Sequence, residues 1–111
     1  MEIGFRKYKD IYIVDVKGDM DLYNAHELKD VVNKLIAKNI KKIVLNLEEV
    51  DYIDSSGVGA LIHIFTSIKR NKFHLRISNV HGSVAKVIKL TKLMGYFPIV
   101  DDVKTALNEL K

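Results

Sequence analysis

Asp54-Ser55-Ser56-Gly57-Val58-Gly59 places two hydroxyls between a stretch of carboxylates and an amphipathic run. The run from Val58 has helical spacing. Ser55 and Ser56 are therefore expected at a helix N-terminus, where backbone N–H groups lack intrahelical partners and the dipole is positive. A phosphoryl group added there would gain those donors. It would also face Glu48, Glu49, Asp51 and Asp54, four carboxylates in what reads as the preceding loop. Stabilisation and repulsion meeting at one point suit a reversible switch better than a catalyst. A plainer role is open to the same residues: serine is a favoured N-cap, worth about 1 kcal/mol, and one hydroxyl could simply satisfy a backbone N–H.

Other chemistries ask for residues the chain does not supply. Neither serine lies in a Gly-x-Ser-x-Gly elbow, and His26, His63, His74 and His81 are each isolated in sequence, so no serine-nucleophile triad is expected. There is no His-x-x-x-His pair, and no metal site is expected. Asp19 with Asp21 has the look of acidic turn residues rather than an acid–base pair. Gly57 and Gly59 match neither the P-loop nor the dinucleotide fingerprint, and are expected to permit close packing or a tight helix entry. No catalytic residue and no cofactor is assigned, and an enzyme is not expected.

A second unusual stretch is Gly18-Asp19-Met20-Asp21-Leu22-Tyr23-Asn24-Ala25. Asn24 can cap a helix, and Glu27 three residues later completes a capping-box pattern with Asn in place of Ser or Thr. Met20, Leu22 and Tyr23 are apolar residues in a connection. Any that stay exposed would form a protein-contact surface. The stretch follows a strand end and is expected beside the Ser55 segment.

The elements that must position these residues follow from periodicity. Ile3–Lys7 and Ile11–Lys17 alternate as strands, with Tyr8-Lys9-Asp10 as the hairpin turn and Gly18 ending the second strand. Leu28, Val31, Val32, Leu35 and Ile36 make a helical stripe. Ile43-Val44-Leu45 with Leu47 is nearly continuous in apolar character and suits a central strand buried on both faces. Val58, Leu61, Ile62, Phe65 and Ile68 form a second stripe, followed by a strand at Phe73, Leu75 and Ile77. Val84, Val87, Ile88 and Thr91 suggest a third helix. Tyr96–Val100 reads as a short edge strand carrying Pro98, and Asp101 or Asp102 caps a last helix with Val103, Ala106, Leu107 and Leu110. The expected fold is α/β: a small mixed sheet with helices packed on it, an N-terminal hairpin and a parallel strand–helix–strand crossover. Ser55 then falls beyond the carboxyl end of the central strand, where open α/β sheets gather functional groups.

Bulk properties agree with one domain over residues 1–111. The chain has no cysteine, which excludes disulfides and thiolate metal sites and fits the cytoplasm. No apolar run is long enough to span a bilayer, so no membrane insertion is expected. Net charge is +4, but the lysines are spread along the chain rather than gathered in one block, so no nucleic-acid footprint is expected.

At the two unusual stretches the chain resembles STAS-domain proteins, specifically the single-domain bacterial anti-sigma factor antagonist family. Gly18–Ala25 matches the family's first signature loop and Val50–Gly59 its more specific second one; Leu93-Met94-Gly95 with Phe97-Pro98-Ile99 resembles its C-terminal segment. The resemblance implies that the unphosphorylated form binds an anti-sigma factor serine kinase and frees the sigma factor. It further implies that phosphorylation at Ser55 ends binding and that a metal-dependent serine phosphatase resets the cycle. Asp21, Tyr23, Asn24, Asp54, Ser55, Ser56 and Gly57 are the implied partner-binding residues, on a monomer or weak dimer. A STAS scaffold, or a subunit of a lipid-transport complex without sigma-factor regulation, is the alternative that the same fold allows.

Overall fold

The apolar alternation from Ile3 onward folds into an antiparallel hairpin, β1 (Glu2–Tyr8) against β2 (Ile11–Met20), turned at Lys9 and Asp10. The computed structural model describes residues 1–111. α1 (Ala25–Ala37), β3 (Lys42–Ile53), α2 (Ser55–Arg70), β4 (His74–Ser78), α3 (Gly82–Leu90), β5 (Ile99–Val100) and α4 (Val103–Leu110) follow in order. The five strands form one sheet in sequence order, with β2 through β5 mutually parallel. It is the mixed α/β sheet that the periodicity predicts, with β3 at its centre.

Side chains of successive strand residues leave opposite faces, and each face has its own core. Val14, Val16, Ile43, Leu45 and Leu47 pack under Leu28 and Val32 of α1, Leu61 and Ile64 of α2, and Val84 and Ile88 of α3. Ile11, Ile13 and Val44 pack on the other face against Ala106 and Leu110 of α4. Ile43, Val44 and Leu45 are wholly buried, which is why that run lacks polar alternation.

Several elements differ from their expected form. β2 does not stop at Gly18. That residue takes φ +102°, and register shifts on either side let the strand run on to buried Met20. The acidic segment from Glu48 is not a loop. It is the second half of the 12-residue β3, held by pairing with β2 (Lys17 to Glu49, Asp19 to Tyr52) and by buried Val50 and Ile53. Its carboxylates project into water, so the strand needs no polar partner for them. In α2 the apolar stripe is turned toward Ala60 and Ile64, which are buried, whereas Ile62 is exposed. The last strand shrinks to Ile99–Val100, because Phe97 turns into the core and Pro98 contributes only its carbonyl, which accepts from Ile77 N–H at 2.9 Å.

Candidate functional site

β3 delivers the chain to the carboxyl end of the sheet, and one residue later α2 begins. Asp54, extended at φ −109° and ψ −173°, is the N-cap: its Oδ1 accepts from Gly57 N–H at 3.0 Å. Neither Ser55 nor Ser56 caps the helix, so the plain capping role falls to the aspartate. Ser55 is the first helical residue and exposed; Ser56 is half-buried. As the first residue of α2, Ser55 stands at the positive end of the helix dipole, where N–H groups lack intrahelical partners.

The second oxygen of Asp54 reaches across to the other loop, where Leu22 N–H donates to Oδ2 at 3.1 Å. The Asp54 N–H in turn donates to the Met20 carbonyl at 3.2 Å. The β2–α1 connection therefore lies directly against the start of α2, as its place after a strand end predicts. Gly57 makes this approach possible. A Cβ there would stand 2.5 Å from both the Met20 carbonyl oxygen and Ile53 Cγ1, closer than atoms can sit. A Cβ added at Gly59 would meet nothing within 4 Å, so close packing does not explain that glycine.

The β2–α1 loop is built from its own polar groups. Asp21 Oδ1 accepts from Tyr23 N–H at 2.9 Å and from Asn24 N–H at 3.2 Å. Asn24 stands at the N-cap position of α1 but makes no forward side-chain cap, so the expected capping box with Glu27 does not form. Its side chain turns back instead, accepting from Asp21 N–H at 3.0 Å and donating to the Asp19 carbonyl at 2.8 Å. With its polar groups turned inward, the loop leaves Leu22 and Tyr23 outward, 68% and 83% exposed, while Met20 is buried.

The electrostatics are narrower than the sequence suggests. Glu48 and Glu49 lie back along β3; at about 3.3 Å per residue they are more than ~15 Å from Ser55, beyond the ~8 Å screening length at physiological salt. Asp51, four residues back, stands about 13 Å away on the same spacing, which leaves Asp54, next to Ser55 in the chain, as the adjacent carboxylate. Periodicity did not single out Tyr52, which is 49% exposed and pairs with Asp19 beside the loop. Its signal is the break in alternation between buried Val50 and buried Ile53. The start of α3 braces the same half of β3: Ser83 Oγ donates to the Asp51 carbonyl, and the His81 ring meets the Glu48 carbonyl at 2.7 Å. The structure brings together no cluster of metal-ligating side chains.

One aspartate thus joins the β2–α1 loop to the start of α2 beside an exposed serine, and the STAS domain model matches residues 2–106. The chain belongs to the STAS family. An anti-sigma-B factor antagonist of Staphylococcus aureus (strain NCTC 8325 / PS 47) is 30% identical over 82 residues, covering 74% of this chain and 76% of that protein. An anti-sigma F factor antagonist of Paenibacillus polymyxa is 25% identical over 112 residues, covering 100% of this chain and 96% of that one. The crystal structure of a Thermotoga maritima protein, described as a candidate anti-sigma factor antagonist, superposes with a TM-score of 0.89. That match has 27% identity and covers 97% of this chain and 93% of that one. In this STAS chain the two signature stretches are thus one surface, with Ser55, Leu22 and Tyr23 outward and Asp21, Asn24, Asp54 and Gly57 fixing its shape. No helix is long and apolar enough to cross a membrane.

Proposed function

We infer that this STAS protein is an anti-sigma factor antagonist. Its unphosphorylated form binds an anti-sigma factor that is also a serine kinase, so the sigma factor is released. Phosphorylation of Ser55 by that kinase ends the complex, and a metal-dependent serine phosphatase restores the binding form. The protein is then a ligand and a substrate rather than an enzyme, and it works in the cytoplasm as a monomer or weak dimer. The names of its relatives support this reading.

The observation that carries it is the division of labour between Asp54 and Ser55. Asp54 holds both the helix start and the neighbouring loop, which leaves the exposed Ser55 hydroxyl without a structural duty. A phosphoryl group there adds about 1.5 to 2 negative charges at the edge of the Leu22–Tyr23 surface. In the free protein the α2 N-terminus stabilises it. In a complex it must be desolvated next to Asp54, and an uncompensated interfacial charge costs about 2–5 kcal/mol, a loss of at least 30-fold in affinity. The fold need not change for the switch to work.

The test is incubation with ATP and each candidate anti-sigma kinase of the source genome, followed by site-resolved mass spectrometry and co-elution. Phosphate on Ser55 with loss of co-elution is the expected result. Phosphate elsewhere, or none with any such kinase, overturns the reading.

A further inference from the structure

Five lysines and one arginine that are far apart in the sequence meet at one end of the fold. At the amino end of the parallel strands, Ile11, Lys42 and His74 stand in one row across β2, β3 and β4. The three turns feeding that row are therefore neighbours: the hairpin tip with Lys7 and Lys9, the α1–β3 turn with Lys38 and Lys41, and the α2–β4 turn with Arg70 and Lys72. All six of these cations are exposed. The one carboxylate on these turns, Asp10, is matched by Lys42, with Nζ to Oδ2 at 3.3 Å.

One bland explanation accounts for only part of this. A cation near a helix C-terminus complements the dipole, which covers Lys38 and Arg70. Lys7, Lys9, Lys41 and Lys72 lie outside the helices. Moreover, Lys9 and Lys72 occupy left-handed backbone, φ 55° and 61°, where Gly or Asn would sit without strain. Positive charge is thus kept at two turn tips in spite of the backbone preference.

Between two of the turns lies a pocket of about 230 Å³ lined by Lys7, Asp10, Tyr12, Asn39, Ile40 and Lys41. With Asp10 engaged by Lys42, the pocket offers two ammonium groups and an amide to an anion the size of a phosphodiester. Only one of the exposed cations at this end is an arginine, so the planar fork that reads bases or clamps a nucleic-acid phosphate is nearly absent. The lysines stand on protruding turns rather than along a groove, and the most prominent apolar group among them is Tyr8, 42% exposed between Lys7 and Lys9. Long-stemmed ammonium groups around a tyrosine suit an interface that is anionic at its surface and apolar just beneath.

We propose that this end of the sheet docks on an anionic phospholipid surface, with one headgroup phosphate seated between Lys7 and Lys41 and Tyr8 at the lipid boundary. α2 runs 16 residues from Ser55 to Arg70, about 24 Å at 1.5 Å per residue, so a docked molecule holds Ser55 at the far end, facing the solvent. Surface recruitment and partner binding then use opposite ends of the protein and do not compete.

The test is co-sedimentation of the full chain with phosphatidylcholine vesicles and with phosphatidylcholine–phosphatidylglycerol vesicles, at physiological and at high salt. Binding is expected to the anionic vesicles alone and to vanish at high salt. Lys7→Glu/Lys41→Glu should lose at least tenfold in partitioning, and Lys7→Gln/Lys41→Gln should lose less. Lys17→Glu/Lys104→Glu, which changes net charge equally at other places, should lose under threefold. Equal loss in both charge-reversed pairs, binding to neutral vesicles, or no binding to anionic ones overturns the proposal. So does tighter binding to duplex DNA than to anionic vesicles at equal phosphate concentration.

Discussion

Leu22 and Asp54, 32 positions apart in the chain, are joined by one hydrogen bond of 3.1 Å from the Leu22 amide to Asp54 Oδ2. The same carboxylate caps α2 through Oδ1 at 3.0 Å. One side chain therefore sets both a helix start and the position of the loop opposite it. Asp54→Ala removes both acceptors and leaves two amides to find water. The expected cost is about 1.5–3 kcal/mol, a cap plus a charge-assisted bond, read as a lower urea midpoint with unchanged slope. Asp54→Asn retains one acceptor oxygen and should lose about half as much.

Ser55→Ala should behave in the opposite way. The serine is exposed and does not cap the helix, so the urea midpoint should stay within about 0.5 kcal/mol of the parent, the range of ordinary surface substitutions. Phosphate uptake should disappear and partner binding should persist, whereas Ser55→Asp should weaken binding. A Ser55→Ala loss comparable to that of Asp54→Ala would return the capping role to the serine.

Much of this was legible in the residues, and the failures share a cause. The buried run Ile43–Leu45 and the alternating Leu75 and Ile77 announce themselves, because burial on a fixed period leaves a pattern. So does the Asp54–Ser55 junction, because a helix start has its own chemistry. What failed was set by groups from elsewhere in the chain. Glu48 to Ile53 reads as a loop until β2 is alongside to pair with it. Asn24 reads as a forward cap until Asp19 and Asp21 offer it closer partners. The grouping of Lys7, Lys9, Lys38, Lys41 and Lys72 has no sequence signal, because their turns are about thirty residues apart in the chain and adjacent only through parallel pairing.

The two glycines of the motif should separate sharply. Gly57→Ala puts a methyl against the Met20 carbonyl and Ile53, backbone on one side and a buried side chain on the other. Neither can yield easily, and overpacking of this kind costs about 1–3 kcal/mol. The same shift would move the Leu22 loop, so binding should fall along with stability. Gly59→Ala meets open space inside α2 and should stabilise by about 0.5–1 kcal/mol through helix propensity and a less flexible unfolded chain. Thermal melts of the pair check both signs.

On the sheet face away from α1, Arg6 donates twice to Asp15, at 2.7 and 2.8 Å, and Asn46 donates to the same carboxylate at 2.8 Å. The Arg6 hydrogen bonds, chiefly, hold the Asp15 carboxyl below its ordinary value, against the opposing effect of burial. A depressed folded-state pKa means that the contribution is complete above the unfolded value, about 3.9, and is lost as pH falls through the folded one. The Asp15 side chain is 34% exposed, and solvent screening keeps the pair to about 0.5–1 kcal/mol. Asp15→Asn should therefore melt a few degrees below the parent at neutral pH, and the two should converge below pH ~3. A gap that stays constant down to that pH would place the effect in packing instead.

Tyr23 offers the cleanest separation of binding from folding. It is 83% exposed, and its backbone N–H, not its ring, is what the Asp21 carboxylate holds. Tyr23→Ala leaves that hydrogen bond in place and removes only the outward ring, so the melting temperature should not move. If Leu22 and Tyr23 are the apolar anchors of the partner interface, the variant should lose about 2 kcal/mol of binding, near 30-fold, as buried aromatic anchors do. Most of the loss should appear as faster dissociation, since no charge that steers encounter has changed. Titration of the kinase by calorimetry or surface-based kinetics reads both quantities. An affinity within twofold of the parent would move the interface off this loop and leave Ser55 to act from the edge of a surface built elsewhere, with Tyr52 the next side chain to remove.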